Sequence, residues 1–192
     1  MALVDRAQAI VLRPRQEWQV IDSEGTTTAD LYRDYILPLA AIGPVATLIG
    51  GVLFGVNVPF VGVVRASLAS AIAQAVVSYA LALAGVYILA IVIDRLAPSF
   101  GGTPSPMQAL KVATYGSTAS WLAGVFGLIP VLSPLGILGL YSLYLLFLGL
   151  PILMKAPQER ALAYTAVVIV VAIVITVVIG AIAGALTGVV VS

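Results

Sequence analysis

Charged residues make up only 9% of this 192-residue chain. An ionisable or amide side chain next to a long apolar stretch is therefore where chemistry would have to happen. Asp94 closes one such stretch and Lys111 opens the next. Charges inside a bilayer are costly, so they default to function or to pairing. A salt bridge between the two would pin two helices together, with Arg95 competing for Asp94. The plainer reading, which is favoured, leaves both solvated at the headgroup level, their stems lying along apolar surface. Gln74 and Ser78 stand four residues apart in mid-stretch, on one helical face. A lipid-facing amide would be unsatisfied, so Gln74 must face protein or a cavity. It either lines a path for a solute or lipid headgroup or makes an interhelical hydrogen bond of about 0.6–2 kcal/mol. The second reading is favoured. Tyr115, Ser117, Thr118 and Ser120 form a hydroxyl cluster that can bond to helix carbonyls or to neighbouring helices. Asp30 and Asp34 stand at i, i+4 where a helix begins, and carboxylates there complement its dipole.

Much chemistry is missing. Histidine and cysteine are both absent, which removes the commonest metal ligand, the commonest general acid/base and all thiol chemistry. No Gly-x-Ser-x-Gly elbow or phosphate loop is present. These absences predict a protein that is not an enzyme and holds no metal or cofactor. A net charge of +1 without a basic run argues against nucleic acid.

The elements that must position these groups are membrane helices. Apolar residues make up 61% of the chain and mean hydropathy is +1.14. A span takes about 20 mostly apolar residues. Five stretches qualify, at about 36–54, 66–93, 107–129, 135–154 and 161–190. The predicted fold is all-α: residues 1–35 form a cytoplasmic or interfacial segment, and 36–192 a bundle of five transmembrane helices. Residues 2–12 read as a short amphipathic helix, with Leu3, Ala7, Ile10 and Val11 on one face. Pro14 ends it, and Trp18 suits the headgroup layer. The segment either lies on the membrane surface or packs on the cytoplasmic end of the bundle. No signal peptide is expected, because the first eighteen residues are too polar for an apolar signal core. Thr27 or Thr28 can cap the first span, which contains Pro38 and Pro44. Gly55–Arg65 is expected to be a loop, as is 97–106, where Gly and Pro are too dense for a helix.

Small residues mark close helix packing. They open the second span (Ala66, Ala69, Ser70, Ala71, Ala73, Ala75). They recur every four residues at Gly116, Ser120 and Gly124 in the third span and at Gly180, Gly184 and Gly188 in the fifth. The last stripe predicts a close backbone neighbour in the same chain or in a second copy. A fifth helix reaching Val191 would be about 46 Å long at 1.5 Å per residue, against a hydrocarbon core of about 30 Å. It must therefore tilt, protrude or pack on something else. The tyrosines 79, 87, 141, 144 and 164 suit an interfacial belt or the core.

Positive charge fixes orientation, because cytoplasmic loops keep lysine and arginine. With the N-terminus inside, Arg6, Arg13, Arg15, Arg33, Arg95, Lys111, Lys155 and Arg160 are cytoplasmic and only Arg65 is outside. The C-terminus then lies outside.

Four segments also carry a likeness to a known family. They are Asp30-Leu-Tyr-Arg-Asp-Tyr-Ile-Leu-Pro38-Leu, Ile93-Asp-Arg-Leu-Ala-Pro-Ser-Phe-Gly-Gly102, Ala113-Thr-Tyr-Gly-Ser-Thr-Ala-Ser-Trp-Leu-Ala-Gly124, and Leu140-Tyr-Ser-Leu-Tyr-Leu-Leu-Phe-Leu-Gly-Leu-Pro151 with Met154-Lys-Ala-Pro157. In order and spacing the chain resembles the bacterial branch of the Yip (Ypt-interacting protein) family, over roughly residues 5–180. The resemblance implies five spans with a cytoplasmic N-terminus. It links eukaryotic relatives to vesicle traffic, small GTPases and membrane shaping. It points to Asp30, Tyr32 and the Gly-rich stretches and implies no catalytic residue. The expected function is a scaffold, assembly subunit or bilayer organiser of the bacterial inner membrane. Its expected partners are lipids and a second copy or other subunits of a membrane complex. The rival expectation is a transporter or channel for a small or lipidic solute.

Overall fold

Proline and glycine positions set the breaks between elements. The computed structural model describes residues 2–58, 62–64 and 67–187. Helix α1 (Leu3–Leu12) ends at Arg13, and Pro14 opens α2 (Pro14–Ser23). The first helical position needs no N–H donor, so proline fits there. The N-terminal segment is thus two helices where the sequence suggested one. Each buries a single face: Ala7 and Ile10 on α1, Trp18 and Ile21 on α2.

Helix α3 (Thr28–Leu53) starts at a capping box. Thr27 Oγ1 accepts from the Asp30 amide at 3.2 Å, and Asp30 Oδ2 accepts from the Thr27 amide at 3.3 Å. Pro38 cannot donate to the ladder, and the turn before it widens into a π turn over Tyr32–Ile36. That turn sends two tyrosines to different neighbours. Tyr32 donates to the Leu83 carbonyl at 3.3 Å, and the Tyr35 hydroxyl meets Thr118 Oγ1 at 2.9 Å. After Gly55, at φ +74°, β1 (Val56–Val58) pairs antiparallel with β2 (Gly62–Val64), Val56 opposite Val64. The sequence suggested an irregular loop here; among the described residues this hairpin is the one exception to an all-helical fold.

Ser67 caps α4 (Leu68–Leu96), which runs on through a 3-10 turn at Ala97–Phe100 to Gly101, at φ +74°. The third apolar stretch is not one straight helix. It is α5 (Pro106–Gly116) and α6 (Thr118–Ala123), broken at Ser117 and tightening to 3-10 over Gly124–Leu128. Ser117 Oγ donates back to the Ala113 carbonyl at 2.7 Å, a bond that bends helices. Next come α7 (Pro130–Leu153), 3-10 up to Leu140, and α8 (Gln158–Thr187).

Contacts along the helices give their directions. Tyr79 donates to the Leu37 carbonyl at 3.0 Å while Tyr32 meets Leu83, so α3 and α4 are antiparallel. Tyr35 meets Thr118 and Gly43 faces Gly124, so α6 runs parallel to α3. Leu146 faces Gly116 and Ser142 bonds to Ser120, so α7 runs antiparallel to α5 and α6. Tyr164 donates to the Ile93 carbonyl and Ile179 lies against Gly85, so α8 is antiparallel to α4. Among the described residues four helices are long and apolar enough to cross a membrane: α3, α4 to Phe100, α7, and α8 to Ala183.

Trp18 is fully buried, not set in the headgroup layer. It packs edge-on to Tyr115, with ring centroids 6.3 Å apart, and a Cβ on Gly149 would sit 2.6 Å from its ring. Glycine at 149 is what lets α2 lie against α7. The amphipathic face that could have met lipid covers the bundle instead.

Candidate functional site

Polar chemistry gathers where α1 and α2 dock on the bundle. Arg6 is buried and forms ion pairs with Glu17 and Glu24, and its guanidinium lies 5.8 Å from the centre of the Tyr115 ring. Burial opposes the Arg6 charge. The hydrogen bond and charge of Glu24, with the charge of Glu17, outweigh it and hold the Arg6 pKa above the ordinary arginine value. Tyr35 packs on Tyr115 at 4.7 Å. Lys111 is only 2% exposed and donates to the Ile21 carbonyl at 2.8 Å and the Glu24 carbonyl at 2.6 Å. These carbonyls end α2, so a cation here caps the helix and complements its dipole. Gln108 donates to the Asp22 carboxylate at 3.1 Å, and Lys155 pairs with the same group.

Lys111 is therefore neither solvated at the headgroup level nor paired with Asp94. Its apolar surroundings are made tolerable by two helix-end carbonyls. Asp94 is half-buried, and its Oδ1 has no hydrogen-bond partner. Among the described residues it makes no ion pair, and Arg95 does not bridge to it.

Two recesses open on either side of Trp121. The larger, about 570 Å³, lies between α4, α6, α7 and α8. Gly85, Gly116, Ser117, Ser142, Leu146 and Thr176 are among its lining residues. The smaller, about 400 Å³, lies between α3 and α4 and reaches Pro44, Thr47, Gln74 and Ser78. Ala82, Ser120 and Trp121 line both. Gln74 is exposed in this recess and its side chain makes no hydrogen bond among the described residues; the interhelical bond favoured from sequence is not formed there. Ser78 lines the same wall, its hydroxyl also without a hydrogen bond among the described residues.

The hydroxyl cluster splits between neighbours. Tyr115 belongs to the docking site, Thr118 bonds to Tyr35, and Ser117 bonds within its own helix. Ser120 Oγ donates to the Gly139 carbonyl at 3.0 Å, and its amide to Ser142 Oγ at 2.8 Å. Gly116 accommodates the Leu146 side chain, and Gly124 abuts the Gly43 backbone. The later stripe differs, because a Cβ on Gly180 would meet nothing within 4 Å. Among the described residues, Gly180 therefore has no close neighbour. Gly188 lies outside the described residues, as do the surroundings of Gly184.

Sequence reading missed Arg6, Glu17, Glu24, Asp22, Gln108 and Trp121 as site residues. The available signal was that oppositely charged residues concentrate in residues 5–34 of a chain otherwise almost free of charge.

Comparison with known proteins gives the chain relatives. A family model described as the Yip1 domain matches residues 9–179. The chain is 31% identical over 119 residues to "Inner membrane protein YohC" of Escherichia coli strain K12, across 62% of this chain and 61% of that protein. The same figures hold for the protein of that name in Escherichia coli O6:H1. The chain thus matches about three-fifths of the length of these relatives. No solved structure matches it.

Proposed function

The chain belongs to the Yip1 domain family, and from that premise we propose that it organises the bilayer or scaffolds other membrane subunits, without catalysis. The observation that carries this reading is the pair of recesses flanking Trp121, lined mainly by small and apolar residues with scattered hydroxyls. Such surfaces hold acyl chains or a partner helix. They offer no nucleophile–base pair, and among the described residues there is no metal-binding cluster.

The reading includes five spans. Four helices qualify by length and composition, and the broken segment 106–128 lies beside two of them, parallel to α3 and antiparallel to α7. Its direction alternates with theirs as a third crossing requires. In the bacterial inner membrane, the layer named for its relatives, positive charge keeps the N-terminus cytoplasmic and the C-terminus outside. Extraction into native nanodiscs tests the proposal. It expects retained lipid together with a self-oligomer or a partner; a monomer with neither would sink it.

A second reading, transport of a small or lipidic solute, is favoured by one observation. The recess that reaches Gln74 shares Ser120 and Trp121 with the larger one. Gln74→Leu should abolish flux in proteoliposomes under this reading and leave the scaffold intact under the first.

A further inference from the structure

A separate recess sits at the elbow between α1 and α2, away from Trp121. It holds about 530 Å³ and is lined by Leu12, Arg13, Pro14, Arg15, Gln16, Tyr141 and Tyr144. Arg13 and Arg15 are both exposed, and neither makes an ion pair or side-chain hydrogen bond among the described residues. Arg95 and Arg160 are also unpaired among the described residues but do not line this recess; the remaining described cations are engaged. Arg6 pairs with Glu17 and Glu24, Arg33 with Asp30 and Asp34, and Lys155 with Asp22. Lys111 is spent on two carbonyls.

The surroundings are amphipathic. Leu12, beside Arg13, is 75% exposed, and Tyr144 is 40% exposed. The Tyr141 hydroxyl donates to the Val11 carbonyl at 3.0 Å, which fixes the elbow against α7. The Tyr144 hydroxyl makes no hydrogen bond among the described residues and is free to donate. Arg15 also borders a neighbouring apolar recess with Phe147, Leu148 and Leu162. Guanidinium groups bind phosphate through paired N–H donors, and tyrosine rings favour the layer between headgroups and acyl chains.

We propose that Arg13, Arg15, Gln16 and Tyr144 form a binding site for the phosphate headgroup of an anionic phospholipid. The arginines take the phosphodiester oxygens, and Gln16 and the Tyr144 hydroxyl add donors. Leu12 and the ring of Tyr144 lie against the start of the acyl chains. The site is independent of the recesses beside Trp121, so the two readings fail separately.

The test is native mass spectrometry of the full chain released from nanodiscs containing equal phosphatidylglycerol and phosphatidylcholine. Wild type is expected to retain phosphatidylglycerol preferentially, and Arg13→Ala/Arg15→Ala to lose about tenfold of that preference. The charge-matched Arg95→Ala/Arg160→Ala should keep it. Arg13→Lys/Arg15→Lys, which preserves charge without the forked donors, should fall between. Melting temperatures within a few degrees of wild type establish folding; if the alanine pair does not fold, the lysine pair decides. Unchanged retention in the elbow variants, or equal loss in the charge-matched control, overturns the proposal. So does displacement of the lipid by millimolar inorganic phosphate, which would make the site one for a free anion.

Discussion

At the scale of single residues, Lys111 shows how a cation survives burial in a charge-poor protein. Its ammonium meets the two carbonyls that α2 leaves open. Removing it leaves buried acceptors unpaired, which costs about 1–3 kcal/mol. Lys111→Met should therefore lower the melting temperature and speed hydrogen exchange across residues 14–24, while residues 68–96 keep their protection. Uniform loss of protection would contradict a local role. Lys111 was conspicuous in the sequence, but its partner was not. Backbone carbonyls leave no mark in residue types, and the competing acid, Asp94, was the visible candidate. Trp18 misled for a related reason. An aromatic residue on an amphipathic segment suits a lipid boundary and a protein groove equally, and only Gly149, more than a hundred residues away, distinguishes them.

At the scale of elements, one spacing has two outcomes. Gly116, Ser120 and Gly124 recur every four residues and meet Leu146, Gly139 with Ser142, and Gly43. Gly180 opens a stripe of the same spacing and, among the described residues, meets nothing within 4 Å. Periodicity reports that a face is smooth, not what covers it. The long apolar stretches were legible because the length of a crossing is a physical constant of the bilayer. The break at Ser117, the 3-10 start of α7 and the hairpin after Gly55 were not, because each depends on neighbouring backbone. Gly50 provides the test. A Cβ there would collide with the Gly127 and Leu128 carbonyl oxygens, which are backbone and unable to retreat alone. Gly50→Val should destabilise by about 1–3 kcal/mol. Gly180→Val should stay within about 0.5 kcal/mol, as for an open surface site. Thermal denaturation in detergent separates the two. A large loss at Gly180 would show that the site is covered by something outside the described residues, a second molecule included.

At the scale of the whole molecule, alternating helix directions and the placement of charge agree. Arg6, Glu17, Glu24, Asp22, Gln108, Lys111 and Lys155 gather at one end. With that end cytoplasmic, a cysteine at position 192 should react with an impermeant maleimide from outside intact cells. A cysteine at Gly25, where nothing lies within 4 Å of an added side chain, should react only after lysis. The opposite pattern would invert the topology.

The docking of α1 and α2 also sets a timetable. Val11 waits for Tyr141 and Asp22 for Lys155, separations of 130 and 133 residues. At roughly 5–20 residues per second, the ribosome needs on the order of ten seconds to deliver those partners. Throughout that interval the opening helices lack their seat on the bundle, while Arg6, Glu17 and Glu24 can already pair with one another. With the N-terminus cytoplasmic, as proposed, α1 and α2 wait on the ribosomal side until Tyr141 and Lys155 have emerged.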